Sequence, residues 1–229
     1  MEIEILPDAD AVAQRAAQVI AAEARQAVAA RGRFSVAVSG GHTPWQMLRL
    51  LVHESVPWPG VDVFQVDERI APEGDADRNL THLRESLLAS APLPAAQLHA
   101  MPVEADDPVA AAQRYAETLR ACGDPPVLDL IHLGLGPDGH TASLVPGDAV
   151  LGVHATDVAL TAGTYQGRRR MTLTYPLINR ARKILWVVTG AEKVDALQKL
   201  RAADATVPAG RVRQERALVL ADRAAAGAS

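Results

Sequence analysis

Residues 127–133 read Val-Leu-Asp-Leu-Ile-His-Leu and stop at Gly134-Leu135-Gly136-Pro137-Asp138-Gly139-His140. Only Asp129 and His132 break the apolar run, so a strand built from it has no solvent face. Strands buried on both faces belong to parallel sheets with helices above and below, which narrows the fold to the α/β class. Further strands are expected at Glu2–Leu6, Phe34–Val38, 61–66, 171–174, 184–188 and 216–220.

Helical segments fill the gaps between these strands. An Ala-rich stretch starts from a cap at Asp8 or Asp10, runs to about Ala30 and ends at Arg31-Gly32. Residues 45–52 follow Thr43, a candidate N-cap, and Pro44, which suits a first helical position. Helices at 79–89, 108–120 and 191–201 complete the pattern. The alternation implies a mostly parallel sheet covered on both faces. No repeat, low-complexity linker or charge block marks a second domain in the 229 residues. In such sheets ligands bind beyond the carboxyl ends of the strands. The unusual loops after Val38, Val66 and Leu133 each follow a strand, so they are expected to converge on one edge.

The formal net charge of -4 argues against a partner bound through nucleic-acid phosphates. It leaves room for one small anion held by a few local cations. Cys122 is the only cysteine, which rules out an intramolecular disulfide and a Cys-based zinc site and suits a reducing compartment. Met1-Glu2-Ile3-Glu4 has neither the basic nor the apolar region of a signal peptide. No apolar run approaches the roughly 20 residues of a membrane span. The expectation is a soluble cytoplasmic protein, a monomer or weak homo-oligomer, with no membrane partner.

Two loops carry unusual chemistry. Ser39-Gly40-Gly41-His42-Thr43-Pro44 joins a strand to a helix. Gly40 and Gly41 allow close backbone approach, Ser39 and Thr43 add hydroxyls, and a helix start offers free N–H groups to a phosphate. The Gly-Lys-Ser/Thr ending of a Walker A loop is missing, and a ligand-free tight turn is the plain alternative. The second loop packs Gly134, Gly136 and Gly139 around an acid, Asp138, and ends on an imidazole, His140. Its glycine spacing imitates a dinucleotide fingerprint. Pro137 and the later Pro146-Gly147 deny it the following helix, which argues against a nicotinamide cofactor.

With Val66-Asp67-Glu68-Arg69 and the continuation Thr141-Ala142-Ser143-Leu144-Val145-Pro146, these loops resemble the 6-phosphogluconolactonase family, within the wider group that includes glucosamine-6-phosphate deaminase. Arg170-Met171-Thr172-Leu173-Thr174 and Thr189-Gly190-Ala191-Glu192-Lys193 resemble two further blocks, in the same order. The resemblance covers nearly the whole chain. It implies one α/β/α domain over 1–229 with a Rossmann-like sheet, no metal and no cofactor. The implied reaction is hydrolysis of a sugar phosphate lactone, 6-phospho-D-glucono-1,5-lactone, in the oxidative pentose phosphate pathway. Val145 and Arg78 depart from the family pattern, which usually has Phe and Ser there. In the deaminase branch the position of Val145 holds a Glu that supports the ring-opening histidine. An apolar side chain cannot do that, so the lactonase branch is favoured over a deaminase. A sugar-phosphate-sensing module is a third reading, disfavoured by the complete Asp-Gly-His loop.

Lactone hydrolysis needs a base for water and a stabiliser for the oxyanion. His140 is the candidate base, since an imidazole with an ordinary pKa of about 6.5 is largely neutral at pH 7. Asp67 is the candidate to orient His140 or the substrate hydroxyls. Asp138, next to Gly136 and Gly139, either holds the loop as an Asx-type turn or joins the catalysis. Arg69 faces either the phosphate or the oxyanion. Arg170 and Lys193 match family positions that contact the phosphate, with the register among Arg168, Arg169 and Arg170 left open. Neither Ser39 nor Ser143 sits in a Gly-x-Ser-x-Gly elbow, which argues against a serine nucleophile.

Overall fold

The computed structural model describes residues 1–228. β1 (Glu2–Leu6) leads into α1 (Ala9–Arg31), capped by the Asp8 carboxylate, which accepts the Ala11 N–H at 2.9 Å. β2 (Phe34–Val38), α2 (His42–Leu51), β3 (Val61–Gln65) and β4 (Asp67–Arg69) follow. α3 (Asn79–Leu83) continues as a wider π-helical turn, Arg84–Leu88, before β5 (Leu98–His99) and α4 (Pro108–Leu119). Then come β6 (Leu130–Gly134), β7 (Val158–Leu160), β8 (Arg170–Leu173) and α5 (Tyr175–Arg180). β9 (Lys183–Val188), α6 (Val194–Arg201) and β10 (Ala217–Asp222) close the chain.

Seven strands form one sheet in the order β1-β10-β9-β6-β2-β3-β5, and every neighbouring pair is parallel. Period-2 alternation sends Val36, Val38, Leu185 and Val187 into one core, and Ala37, Ile184, Trp186 and Val188 into the other. The first core is covered by α1, α2 and α3, the second by α4, α5 and α6. Each fully buried Val or Leu contributes about 1.5–3 kcal/mol, so both faces drive folding and three layers result. The α/β/α architecture with a mostly parallel sheet is thus present. Among the described residues no helix is long and apolar enough to cross a membrane.

Three strands lie outside this sheet. β4, β8 and β7 pair antiparallel in a small second sheet, with Arg69 opposite Arg170 and Asp67 opposite Thr172. The fully buried Glu68 ties it to α3. Its carboxylate accepts N–H groups from Arg69, Asn79 and Leu80 at 2.8 Å each and the Gln65 amide at 2.9 Å. An anion at a helix N-terminus is favourable there. Arg78, whose Nε lies 3.2 Å from Glu68, is also buried and pairs with Glu104. Arginine at this position is therefore an internal strut that fixes where Asn79 and Arg69 stand.

Several expectations need correction. Residues 67–69 are not a loop after a strand but a strand of their own, and 171–174 falls in the antiparallel sheet. The central strand starts at Leu130, because Asp129 first receives the Ser35 N–H and hydroxyl at 2.9 and 3.1 Å. Thr43 is not the N-cap of α2. Gly41 takes that place, and the Thr43 hydroxyl instead lies 2.8 Å from that of Thr189. The strands β5 and β7 and the helix α5 were not anticipated, being short and weakly patterned.

Candidate active site

The loops after β2 and β6, together with β4 and β8, enclose a cleft of about 390 Å³ at the carboxyl edge of the large sheet. The expected convergence holds. Ser39, Gly40, Gly41, Thr43, Asp67, Arg69, Gly136, His140, Arg170 and Lys193 all line it. Asp138 and Gly139 are not on the wall, and Asp138 meets the side chain of His140, which is.

The loop after β6 is closed by its own backbone. Gly136 N–H donates to the His140 carbonyl and Gly139 N–H to the Gly136 carbonyl, both at 2.9 Å. Thr141 Oγ1 donates to the Gly134 carbonyl at 2.9 Å. Gly136 has to be glycine for steric reasons: a Cβ there would lie 2.0 Å from His140 Nδ1. Gly139 adopts φ +81°, and a Cβ on it would meet Val207 at 2.5 Å. The imidazole therefore lies close against a backbone that only glycine leaves room for.

Asp138 orients that imidazole. Its Oδ1 accepts the His140 backbone N–H at 3.1 Å and lies 2.6 Å from His140 Nδ1. The Asx-type turn expected of Asp138 is thus present, and the same carboxylate also meets the imidazole. Burial works to raise the Asp138 pKa, but the hydrogen bonds from His140 outweigh it and the net direction is down. An ionised Asp138 on Nδ1 selects the tautomer protonated there, in which the lone pair of a neutral imidazole lies on Nε2. Tyr165 completes the cluster. Its hydroxyl is 3.3 Å from Asp138 Oδ2 and its ring stands edge-on to the imidazole at 5.0 Å.

Asp67 does not reach His140, contrary to one sequence expectation. It is buried, accepts the Ser143 hydroxyl at 2.6 Å, and lies 3.8 Å from Arg170 Nη1. It acts as counter-ion to Arg170 instead. Of the three consecutive arginines, Arg168 is bound to Asp75 and Asp77, and Arg169 donates to the Thr161 carbonyl. Arg170 alone lines the cleft, 3% exposed, with a buried Nε that has no hydrogen-bond partner. Burial chiefly, and then the neighbouring Arg69 guanidinium, lower its pKa. Two cations held side by side in a poorly hydrated wall favour an anion between them.

The glycine loop after β2 sits between two sources of positive charge. On one side Thr43 touches Thr189, whose own loop carries Lys193. On the other, Asn79 binds the Arg69 guanidinium and crowds against Gly40. Ser39 lines the cleft but is not a free donor. Its N–H goes to His132 Nδ1 at 3.2 Å and its hydroxyl to the His132 carbonyl at 3.0 Å. Sequence reasoning missed Asn79, Tyr165 and Thr189 as wall residues. All three act through contacts remote in sequence, so no local pattern marks them. Among the described residues no group of three His, Cys, Asp or Glu side chains is placed to hold a metal.

Residues 7–220 match the family described as glucosamine-6-phosphate isomerases/6-phosphogluconolactonase. A 6-phosphogluconolactonase of Mycobacterium tuberculosis is 38% identical, over 98% of this chain and 96% of the relative. One from Synechocystis is 37% identical over 89% of this chain and 86% of its own. The crystal structure of 6-phosphogluconolactonase from Thermotoga maritima superposes with a TM-score of 0.86 at 26% identity, over 96% of this chain and 98% of the other. The chain thus belongs to the glucosamine-6-phosphate isomerase/6-phosphogluconolactonase family.

Proposed function

We propose that the protein hydrolyses 6-phospho-D-glucono-1,5-lactone to 6-phospho-D-gluconate, as a step of the oxidative pentose phosphate pathway. The observation that carries this reading is the Asp138–His140 pair, 2.6 Å apart, facing a cleft whose other walls bear Arg69, Arg170 and Lys193. One end of the cleft offers a base, and Arg69, Arg170 and Lys193 bring positive charge to its other walls, which is what a neutral ester carrying a distant phosphate requires.

In this mechanism the phosphate lies over the Gly40–Gly41–Thr43 helix start, gripped by Arg170 and Lys193. Guanidinium groups suit this role because they bind phosphate oxygens in pairs. The lactone carbonyl then reaches His140. Nε2 takes a proton from water as the water oxygen attacks C1, and Asp138 stabilises the imidazolium that forms. Arg69 supplies the field that favours the tetrahedral oxyanion. Collapse breaks the bond from C1 to the ring oxygen, which takes the proton back from His140. No cofactor or metal enters any step.

The test is steady-state hydrolysis of the lactone, corrected for its spontaneous opening. His140→Asn should lower kcat by about 10²–10⁴-fold, the usual range for a lost general base. Retention of wild-type turnover by the variant would remove His140 from the mechanism. Ammonia release from glucosamine 6-phosphate exceeding lactone turnover would instead point to the deaminase branch, and ligand binding without turnover to a sensor.

A further inference from the structure

Tyr165 stands at the tip of the β7–β8 hairpin, where Gln166 and Gly167 both adopt left-handed backbone, φ +52° and +77°. That turn aims the phenol into the cleft. Its hydroxyl is 3.3 Å from Asp138 Oδ2 and 3.3 Å from His140 Nδ1. The Arg170 guanidinium carbon lies 5.1 Å from the ring centroid, within cation–π range. Arg170 Nη2 also donates to the Tyr165 carbonyl at 3.4 Å and to Gln166 Oε1 at 3.0 Å. One residue therefore touches the base pair delivered by the large sheet and the cation delivered by the small one.

The direction of the hydroxyl bond follows from proton count. His140 Nδ1 already faces Asp138 Oδ1 at 2.6 Å as donor, so it has no lone pair to offer the phenol. The Tyr165 proton must go to the second carboxylate oxygen. Burial first, and then the Asp138 charge, raise the phenol pKa, so it stays a donor. With both oxygens bound, the carboxylate cannot rotate away from the imidazole.

We propose that Tyr165 is a positioning residue for this reaction: its hydroxyl locks the Asp138 carboxylate against His140, and its ring seats the Arg170 guanidinium. The inference rests on the lactonase reading and deepens it. Its two halves reside in different atoms and can be separated. Tyr165→Phe removes the hydroxyl and keeps the ring. Tyr165→Leu and Tyr165→Ala remove both.

Lactone hydrolysis is measured for wild type and all three variants, with thermal unfolding as the control for folding. Tyr165→Phe should lower kcat about five- to tenfold, as expected for one lost intramolecular hydrogen bond, with KM within twofold. Tyr165→Leu should show that kcat loss together with a KM raised about tenfold, the effect of an unseated cation. Ala serves in place of Leu if Leu misfolds. An unchanged kcat in Tyr165→Phe overturns the proposal, as does a KM in the truncated variants equal to that of Phe. A filler role would lower the unfolding midpoint without this split between kcat and KM. A wild type without lactonase turnover refutes the functional reading itself, whereas an active wild type with an indifferent Tyr165→Phe refutes only this one.

Discussion

The two sheets reach the same cleft by opposite means. The seven-stranded parallel sheet is apolar on both faces and contributes its strand-end loops, so what it delivers is backbone: glycine amides, a helix start, and an imidazole lying against Gly136. The three-stranded antiparallel sheet contributes side chains from within its strands, Asp67, Arg69 and Arg170. A loop at a strand end can be shaped by glycines without disturbing the core. A charge inside a strand needs a buried partner, and Arg170 has Asp67 3.8 Å away. The large sheet thus carries the geometry of attack and the glycine cradle, and the small one carries the buried arginine that faces them.

Gly136→Ala should break the first half. The new Cβ would occupy a point 2.0 Å from His140 Nδ1, so the ring must move. Misplacement of a reacting group by about 1 Å can cost 10²-fold. The expected outcome is a kcat reduced roughly a hundredfold in steady-state hydrolysis, with KM little changed. Arg170→Ala probes the second half. It should raise KM about thirtyfold, corresponding to about 2 kcal/mol of lost charge pairing, and leave kcat within severalfold. Interchanged effects, KM for Gly136 and kcat for Arg170, would undo the division of labour.

The smallest effect comes from within the large sheet. His132 on β6 is fully buried, and burial pushes its pKa down to about 3. The unfolded chain takes up this proton near pH 6.5, the folded one only near pH 3, so protonation favours unfolding between those values. Stability attributable to His132 is intact above pH 6.5 and falls below it, by about 1.4 kcal/mol at pH 5.5. Urea unfolding of wild type and His132→Gln across pH 7.5 to 5 checks this. The difference between them should shift in favour of the variant as pH falls, and a constant difference would contradict it.

What the sequence disclosed follows the same divide. Phe34–Val38 and the strand before Gly134 are legible because parallel strands must be apolar throughout. The loop that carries Asp138 and His140 is legible because its glycines, acid and imidazole stand within seven residues, but the sequence does not show that Asp138, rather than Asp67, meets His140 Nδ1. Asp67-Glu68-Arg69 does not look like a strand, since three consecutive charges carry no strand pattern; only the pairing with β8 and the buried Arg78 make it one. Asp67 does not meet His140 for the same reason, because its actual partners, Ser143 and Arg170, lie far along the chain. The resemblance supplied Arg170, but neither spacing nor resemblance marked Tyr165, whose contacts with Asp138 and His140 span more than twenty residues. Ser39 shows the reverse error. Its loop was recognised, while the strand partner that occupies its hydroxyl was not.

The direct measurement is a crystal structure of the protein with 6-phosphogluconate bound. The predicted complex has a C1 carboxylate oxygen within hydrogen-bond reach of His140 Nε2, about 2.6–3.2 Å, and the phosphate over Gly40 and Gly41 against Lys193 and Arg170. A phosphate seated at His140, with the carboxylate on the arginines, would contradict it.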